Sequence, residues 1–493
     1  MSSASWSTTY YVDATNGNDE NTGTSIYNAW KKIAKVNYTH FMPGDSILFK
    51  RGETWREMLV IQSSGSVANH IIIGAYGTGD RPIIKGSNLV TVWTIHNENI
   101  WKATLQTEPS FNQVFFDGIR GNKQTLLVNL NNEKDWYWSS NTLYIYSVSN
   151  PEIAYENSGI EVSVRDQCIK IDDRGYITIQ DFHLSQGILT AIVVWDRREC
   201  SIKRILAEKS YNANIITGDG SVTISNCEVR FSDTGHGVYL SENTVNSIIE
   251  YCHCHHNRIE GIQINPEDAG DEKTYGIIIR YNNIHNNRNG MGLHATNESE
   301  IYGNILYNNS RAGISFYDHS GGPGFGCTNN TVYNNTILVP ITNDRAACGI
   351  SARRYSTSNK YQNNIIYVLD PFMPNWYIDS NSNYGQIIDH NCSFRVSGTN
   401  IGYVGGENKT WVEWRALNYD TNGINENPLF IDSQPKTDTD FILQSISPCK
   451  NMGTNVGWNK DYFGKPLFQF PDIGFYEIQG LCPPTNLRLE HKP

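Results

Sequence analysis

"EYCHCHHNRIEGIQI", residues 250–264, sets two cysteines and three histidines in five consecutive positions. Zinc accepts both kinds of ligand, so Cys252, His253, Cys254, His255 and His256 first suggest a coordination site. Further along, "YNNIHNNR" (281–288) matches "YCHCHHNR" (251–258) position by position. Cys252 falls on Asn282, Cys254 on Ile284, His255 on His285 and Arg258 on Arg288, so the stretch is one copy of a repeat. Cys254 then takes an inward position held in other copies by Val229, Ile284 and Leu306, where a free cysteine behaves as a small hydrophobe. Cys252 lines up with Cys227 and Asn282 at a bend. Because a strand sends neighbouring side chains to opposite faces, these five residues are not expected to converge on one ion, and the reading is no metal.

The repeat runs from about Ile179 to Tyr367. Anchored on Ile179, Ile202, Ile224, Ile249, Ile279 and Ile301, its spacings are 23, 22, 25, 30 and 22 residues. That period suits one coil of a parallel β-helix, with insertions confined to the bends. Each coil has a second strand led by glycine: "GVYL" (Gly237), "GIQI" (Gly261), "GLHA" (Gly292), "GISF" (Gly313) and "GISA" (Gly349). Alternation points Val238, Ile262, Leu293, Ile314 and Ile350 inward and their neighbours outward.

Composition agrees with an all-β solenoid. The 493 residues include 41 glycines, 12% aromatic residues and only 18% charged residues. A net charge of -11, from 39 Lys+Arg against 50 Asp+Glu, argues against a dedicated nucleic-acid binder. No apolar run is long enough to span a membrane as a helix. The start, "MSSASWSTTYYVDA", lacks a signal-peptide pattern, so a presequence is either removed or not used. The ten cysteines are scattered, and none forms a CxxC pair.

"TTYYVDATNGNDENTGTSIYNAWKKIAKVN", "FMPGDSILFKRGETW" and "IIIGAYGTGDRPIIKG" resemble the opening coils of right-handed parallel β-helix proteins of the pectate-lyase-like superfamily. "NPLFID", "DFILQSISPCKNMG" and "DIGFYE" resemble its closing segment. At the level of fold the chain also resembles archaeal disaggregatase-like β-helix proteins. The resemblance implies an N-terminal helical cap over the open apolar end, here "AWKKIAKVN", and a secreted or cell-surface protein acting on polysaccharide. The expected organisation is a cap with first coils (1–100), a β-hairpin insertion (101–160), a central parallel β-helix (161–405), closing coils (406–480) and the start of a linker (481–493) leading toward a further module. The loop "DATNGNDENTGT" (13–24) has oxygen ligands but not the spacing of an EF-hand, and reads as a polar turn.

A β-helix groove gathers outward side chains from stacked coils. The outward column on the glycine-led strands reads Tyr239, Gln263, His294, Ser315 and Ser351, followed two positions on by Ser241, Asn265, Thr296, Tyr317 and Arg353. Bends add Asp233, His236, Glu260, Asp318, His319 and Arg345. For β-elimination on a uronate-containing glycan, Tyr239, His294 or His319 would act as base or acid, with Arg353, Gln263 or His236 on the carboxylate and Tyr317, Arg345 and Asn265 binding sugar. For glycoside hydrolysis, Asp233, Glu260 and Asp318 would supply paired carboxylates, about 5–5.5 Å apart for retention and about 6.5–9.5 Å for inversion. The Tyr- and His-rich column favours the lyase. A non-catalytic carbohydrate-binding surface protein is the third reading. The chain has no "NGGE"-like stretch of the chondroitinase B type and no "DPHD" or "DPHE" of the mannuronan epimerases; "DTGHG" (233–237) is a partial echo that does not transfer roles. No cofactor is demanded by the residues, and calcium stays open.

Overall fold

In the computed structural model, residues 7–105, 112–195, 198–266, 274–317 and 324–478 are described. The chain is mostly β, a parallel β-solenoid with a few short helices, and its contacts divide it into two compact units. The first comprises residues 1–278 and 284–297, the second residues 279–283 and 298–493.

In the first unit three parallel sheets form the walls of the coil. Ile73, Ile179, Ile202, Ile224 and Ile249 stack in register on one. Ile84, Leu184, Ala207, Val229 and Cys254 stack on the second. Ile192, Ile215, Val238, Ile262 and Met291 stack on the third. All of these side chains are buried, so each coil completes its core only through its neighbours. The bend between the first two sheets recurs as a left-handed residue in successive coils: Asp181, Arg204, Asn226 and Tyr251 have φ of 66°, 52°, 55° and 53°. That single residue turns the chain without a loop.

Cys252 and Cys254 are both buried, which removes them from any surface site. At the open end, Ile33 and Val36 of the helix Ile33–Asn37 are buried, and Trp30 stacks on Tyr10 at 4.9 Å. In the loop 13–24, Asp13 accepts from the amides of Thr15 and Asn16, and Asp19 from those of Lys31 and Lys32, so both carboxylates tie turns. Ile73 pairs directly with Ile179, so the intervening excursion returns to the next rung. It begins before residue 101: Ser87–Val90 pairs with Ile160–Ser163, and Thr94–Asn97 with Ile100–Thr104. Val114, Phe116, Trp136, Leu143 and Ile145 give it a core of its own.

The second unit repeats the three walls, with Ile301, Val332, Tyr361 and Ile388 stacked on one and Leu306, Ile337, Ile366 and Ser393 on another. Its bends carry an asparagine ladder. The Asn282, Asn304, Asn335 and Asn364 amides each donate to Oδ1 of the next asparagine at 2.9–3.1 Å, and Asn391 donates to Asp420. The closing segment supplies Phe430, Phe441, Leu443, Ile473 and Phe475, which cover the outward apolar side chains Ile305, Leu338 and Ile365.

Candidate active site

The best-organised polar constellation on the third wall of the first unit centres on His236 and Glu260. His236 Nδ1 lies 2.6 Å from Glu260 Oε2, and Asn289 Nδ2 donates to Glu260 Oε1 at 2.8 Å. Glu260 opens the strand Glu260–Ile264 and is 3% exposed, whereas the His236 side chain keeps 18% of its surface. The His236 ring packs 5.2 Å from that of Tyr239. Tyr239 Oη accepts from Asn265 Nδ2 at 3.3 Å and lies 3.4 Å from the Asn265 carbonyl oxygen. His236 thus stands with one ring nitrogen at ion-pair distance from a buried carboxylate, a placement that leaves the other nitrogen for proton transfer.

Glycine governs this packing. A Cβ on Gly292 would stand 2.5 Å from Gln263 Oε1 and 2.9 Å from Glu260 Cγ, so only glycine lets these side chains lie across the adjoining rung. Gly292 pairs with Gln263, and Met291 with Ile262. Gly290, not Gly292, therefore stands opposite Gly261 by extension of that register. This corrects the column expected from sequence. A two-residue slip preserves which side chains face inward but moves His294 along the strand, out of the Tyr239–Gln263 line and one residue beyond the Ile264–Leu293 pair. His294 is also 2% exposed, so it is not an open proton-transfer group.

Asp233 is likewise engaged. Arg120, from the inserted β element, reaches it at 3.4 Å while also donating to Gln113 and to the carbonyls of Ser210 and Phe231. Burial lowers the Arg120 pKa and the Asp233 charge opposes that fall. Asp318 and His319 lie outside the described residues.

In the second unit the outward line is Ser315, Ser351, Tyr377 and Tyr403. The serine hydroxyls are 2.8 Å apart, and the tyrosine rings stack at 4.8 Å with 13° between planes. The Arg353 guanidinium sits 4.0 Å over the Tyr377 ring, a cation–π contact that fixes it. Tyr317 is half-buried and Arg345 is exposed. Sequence reasoning missed Tyr377 and Tyr403 because no glycine leads "NWYIDS" or "NIGYVGG" in the earlier manner, although both alternate as strands.

The opening cluster also changes on inspection. Its cysteines point into the core, but His253 and His255 share an outward face and meet His285, so three imidazoles do come together. His253 Nε2 and His285 Nε2 are 2.6 Å apart, and the His255 and His285 rings stack at 5.0 Å with 6° between planes. Burial, then mutual repulsion, drives the His255 pKa down to about 3 and that of His285 to about 4.

The stacked parallel walls give the chain a mostly β solenoid with a right-handed, pectate-lyase-like fold. Residues 167–337 match the family described as the right-handed β-helix region. Among solved structures, the chain is similar to XylC in complex with xylose (14% identity, TM-score 0.66, covering 96% of this chain and 98% of that one). It is also similar to the pectate lyase Pel9A (13% identity, TM-score 0.55, 96% and 97%) and to a glycoside hydrolase (10% identity, TM-score 0.54, 83% and 98%). A stretch of 88 residues is 35% identical to a lacto-N-biosidase of Bifidobacterium longum subsp. longum, covering 17% of this chain and 6% of that protein.

Proposed function

We propose that this protein is a glycan-degrading enzyme that cleaves a uronate-containing polysaccharide by β-elimination in the groove of the first unit. The observation that carries the reading is the His236–Glu260 contact at 2.6 Å beside Tyr239. His236, oriented by Glu260, takes the proton next to the sugar carboxylate. The Tyr239 hydroxyl protonates the oxygen that leaves as the glycosidic C–O bond breaks, and the ring carbons are left joined by a double bond. The side-chain amide of Asn265, which is half-buried, faces the carboxylate and stabilises the charge that builds on it. Among the described acids, Glu260 Oε1 accepts from Asn289, its Oε2 lies 2.6 Å from His236 Nδ1, and Asp233 lies 3.4 Å from Arg120, so these two favour elimination over hydrolysis, for which two carboxylates must turn to the same bond. The similar solved structures, which include a pectate lyase and a glycoside hydrolase, support a carbohydrate substrate for this fold. A polymeric substrate would be met outside the cell or on its surface, which is the location this reading implies.

The stacked Tyr377 and Tyr403 support a second reading, a carbohydrate-binding surface, because sugar rings pack on aromatic faces. One experiment separates the readings. The protein is incubated with a panel of polysaccharides, and ultraviolet absorbance of unsaturated ends is followed beside a reducing-end assay. Both signals rising together support the lyase. Reducing ends without absorbance mean a hydrolase, and neither signal with retained binding means a binder.

A further inference from the structure

We propose that His253, His255 and His285 form a binding site for a divalent transition-metal ion of the zinc class, which staples neighbouring coils of the first unit. One potential ligand atom from each of the three lies within 4.8 Å of the others, a convergence that imidazole-rich metal sites require. His253 and His255 stand two residues apart on one strand and so share a face, and His285 comes from the following coil. The arrangement has the supporting contacts of a metal site. His285 Nδ1 lies 3.2 Å from Asn286 Oδ1, which directs its Nε2 at His253. Glu228 Oε1, which pairs with Arg230 Nη1 at 2.5 Å, also stands 3.3 Å from His255 Nε2 and tethers the third imidazole.

Tetrahedral ligands about 2.0–2.1 Å from zinc lie about 3.3 Å from each other, so His253 and His285 would part from 2.6 Å by less than an ångström, and separations of up to 4.8 Å would close by about 1.5 Å through side-chain rotation. Both are half-buried side chains, open enough to move and to admit an ion. The site is separate from the His236–Glu260 pair and does not rest on the proposed elimination.

The test uses the full chain without a polyhistidine tag, stripped with a chelator and titrated with zinc chloride by calorimetry. One zinc per chain is expected with a micromolar or tighter midpoint, together with a higher unfolding temperature. His253→Ala and His285→Ala should each weaken binding at least tenfold, while His70→Gln, elsewhere in the unit, should leave it unchanged. Unfolding curves of the chelator-treated variants establish that they fold. Cobalt chloride gives an independent readout, since a tetrahedral nitrogen-rich site colours the protein and the two alanine variants should lose that absorbance. Absence of binding to the parent chain, or equal binding by folded His253→Ala and His285→Ala variants, overturns the proposal.

Discussion

His236 and Glu260 come from separate coils, yet the register of the third wall sets their side chains 2.6 Å apart. Glu260 acts through His236, so it is a positioning residue, and Glu260→Gln should lower kcat by about 10²- to 10³-fold while leaving KM within a few fold. Glu260→Asp, which keeps a carboxylate beside the imidazole, should recover part of that loss; equal losses in the two folded variants would assign Glu260 a purely structural role. Asp233→Asn serves as the contrast. It weakens only the partly exposed pair with Arg120, and activity measured on the same substrate should stay within a few fold of the parent. Residue types at this site were legible in the sequence, and their alignment was less so. "NGMGLH" offers two glycines at which to start the rung, and the choice between Gly290 and Gly292 depends on the contacts Gly292 makes with Gln263 and Glu260, which no local pattern encodes.

At the scale of elements, side-chain ladders hold the bends in place. Asn335 shows the reason for asparagine: its Oδ1 accepts from the Asn304 amide and side chain, while Nδ2 donates to the carbonyls of Ile301 and Tyr333 and to Asn364 Oδ1. Asn335→Ala leaves several of these buried groups unpartnered, each worth about 1–3 kcal/mol, so chemical denaturation should show a loss of at least about 2 kcal/mol. A loss below about 0.5 kcal/mol would mean that water replaces the ladder at no cost. The sequence marked this column through its Asn-rich bends, and Cys227 and Cys252 at the matching position of the first unit show that the bend also accepts a buried thiol. Charge plays a comparable part on the second wall. Burial alone would raise the Glu208 carboxyl, but His183, Lys209 and Arg230 outweigh it and bring its pKa down to about 2. A carboxylate depressed on folding stabilises the protein above its unfolded value of 4.5, and that contribution fades as pH falls from there toward 2. Glu208→Gln should therefore flatten the acid limb of stability against pH in that window, read by urea unfolding across a pH series; a limb of unchanged slope would rule out this carboxylate as its source.

For the whole molecule, the period of about two dozen residues was enough to predict the solenoid, since inward aliphatic positions must stack wherever the coil length is nearly constant. The excursion between Ile73 and Ile179 was harder to delimit, because its outer strands pair with Ser87–Val90 and the boundary falls inside a sheet rather than in a linker. A solenoid gains stability from each neighbouring coil, so its terminal rung is the vulnerable one and a cap must cover it. In the first unit Trp30, Ile33, Val36 and Phe41 do so, all at most 3% exposed. Val36→Asp puts an unpaired carboxylate under that cap and should cost about 3–4 kcal/mol at neutral pH. The loss should begin at the end rather than throughout: hydrogen exchange should accelerate first in Thr9–Val12 and Ser46–Lys50, which form the outermost rungs of their wall, while Ile215–Gly218 keeps its protection. Equal acceleration in all three strands would show that the unit melts as one cooperative block, and the cap would then be a contributor to overall stability rather than the guard of an open end.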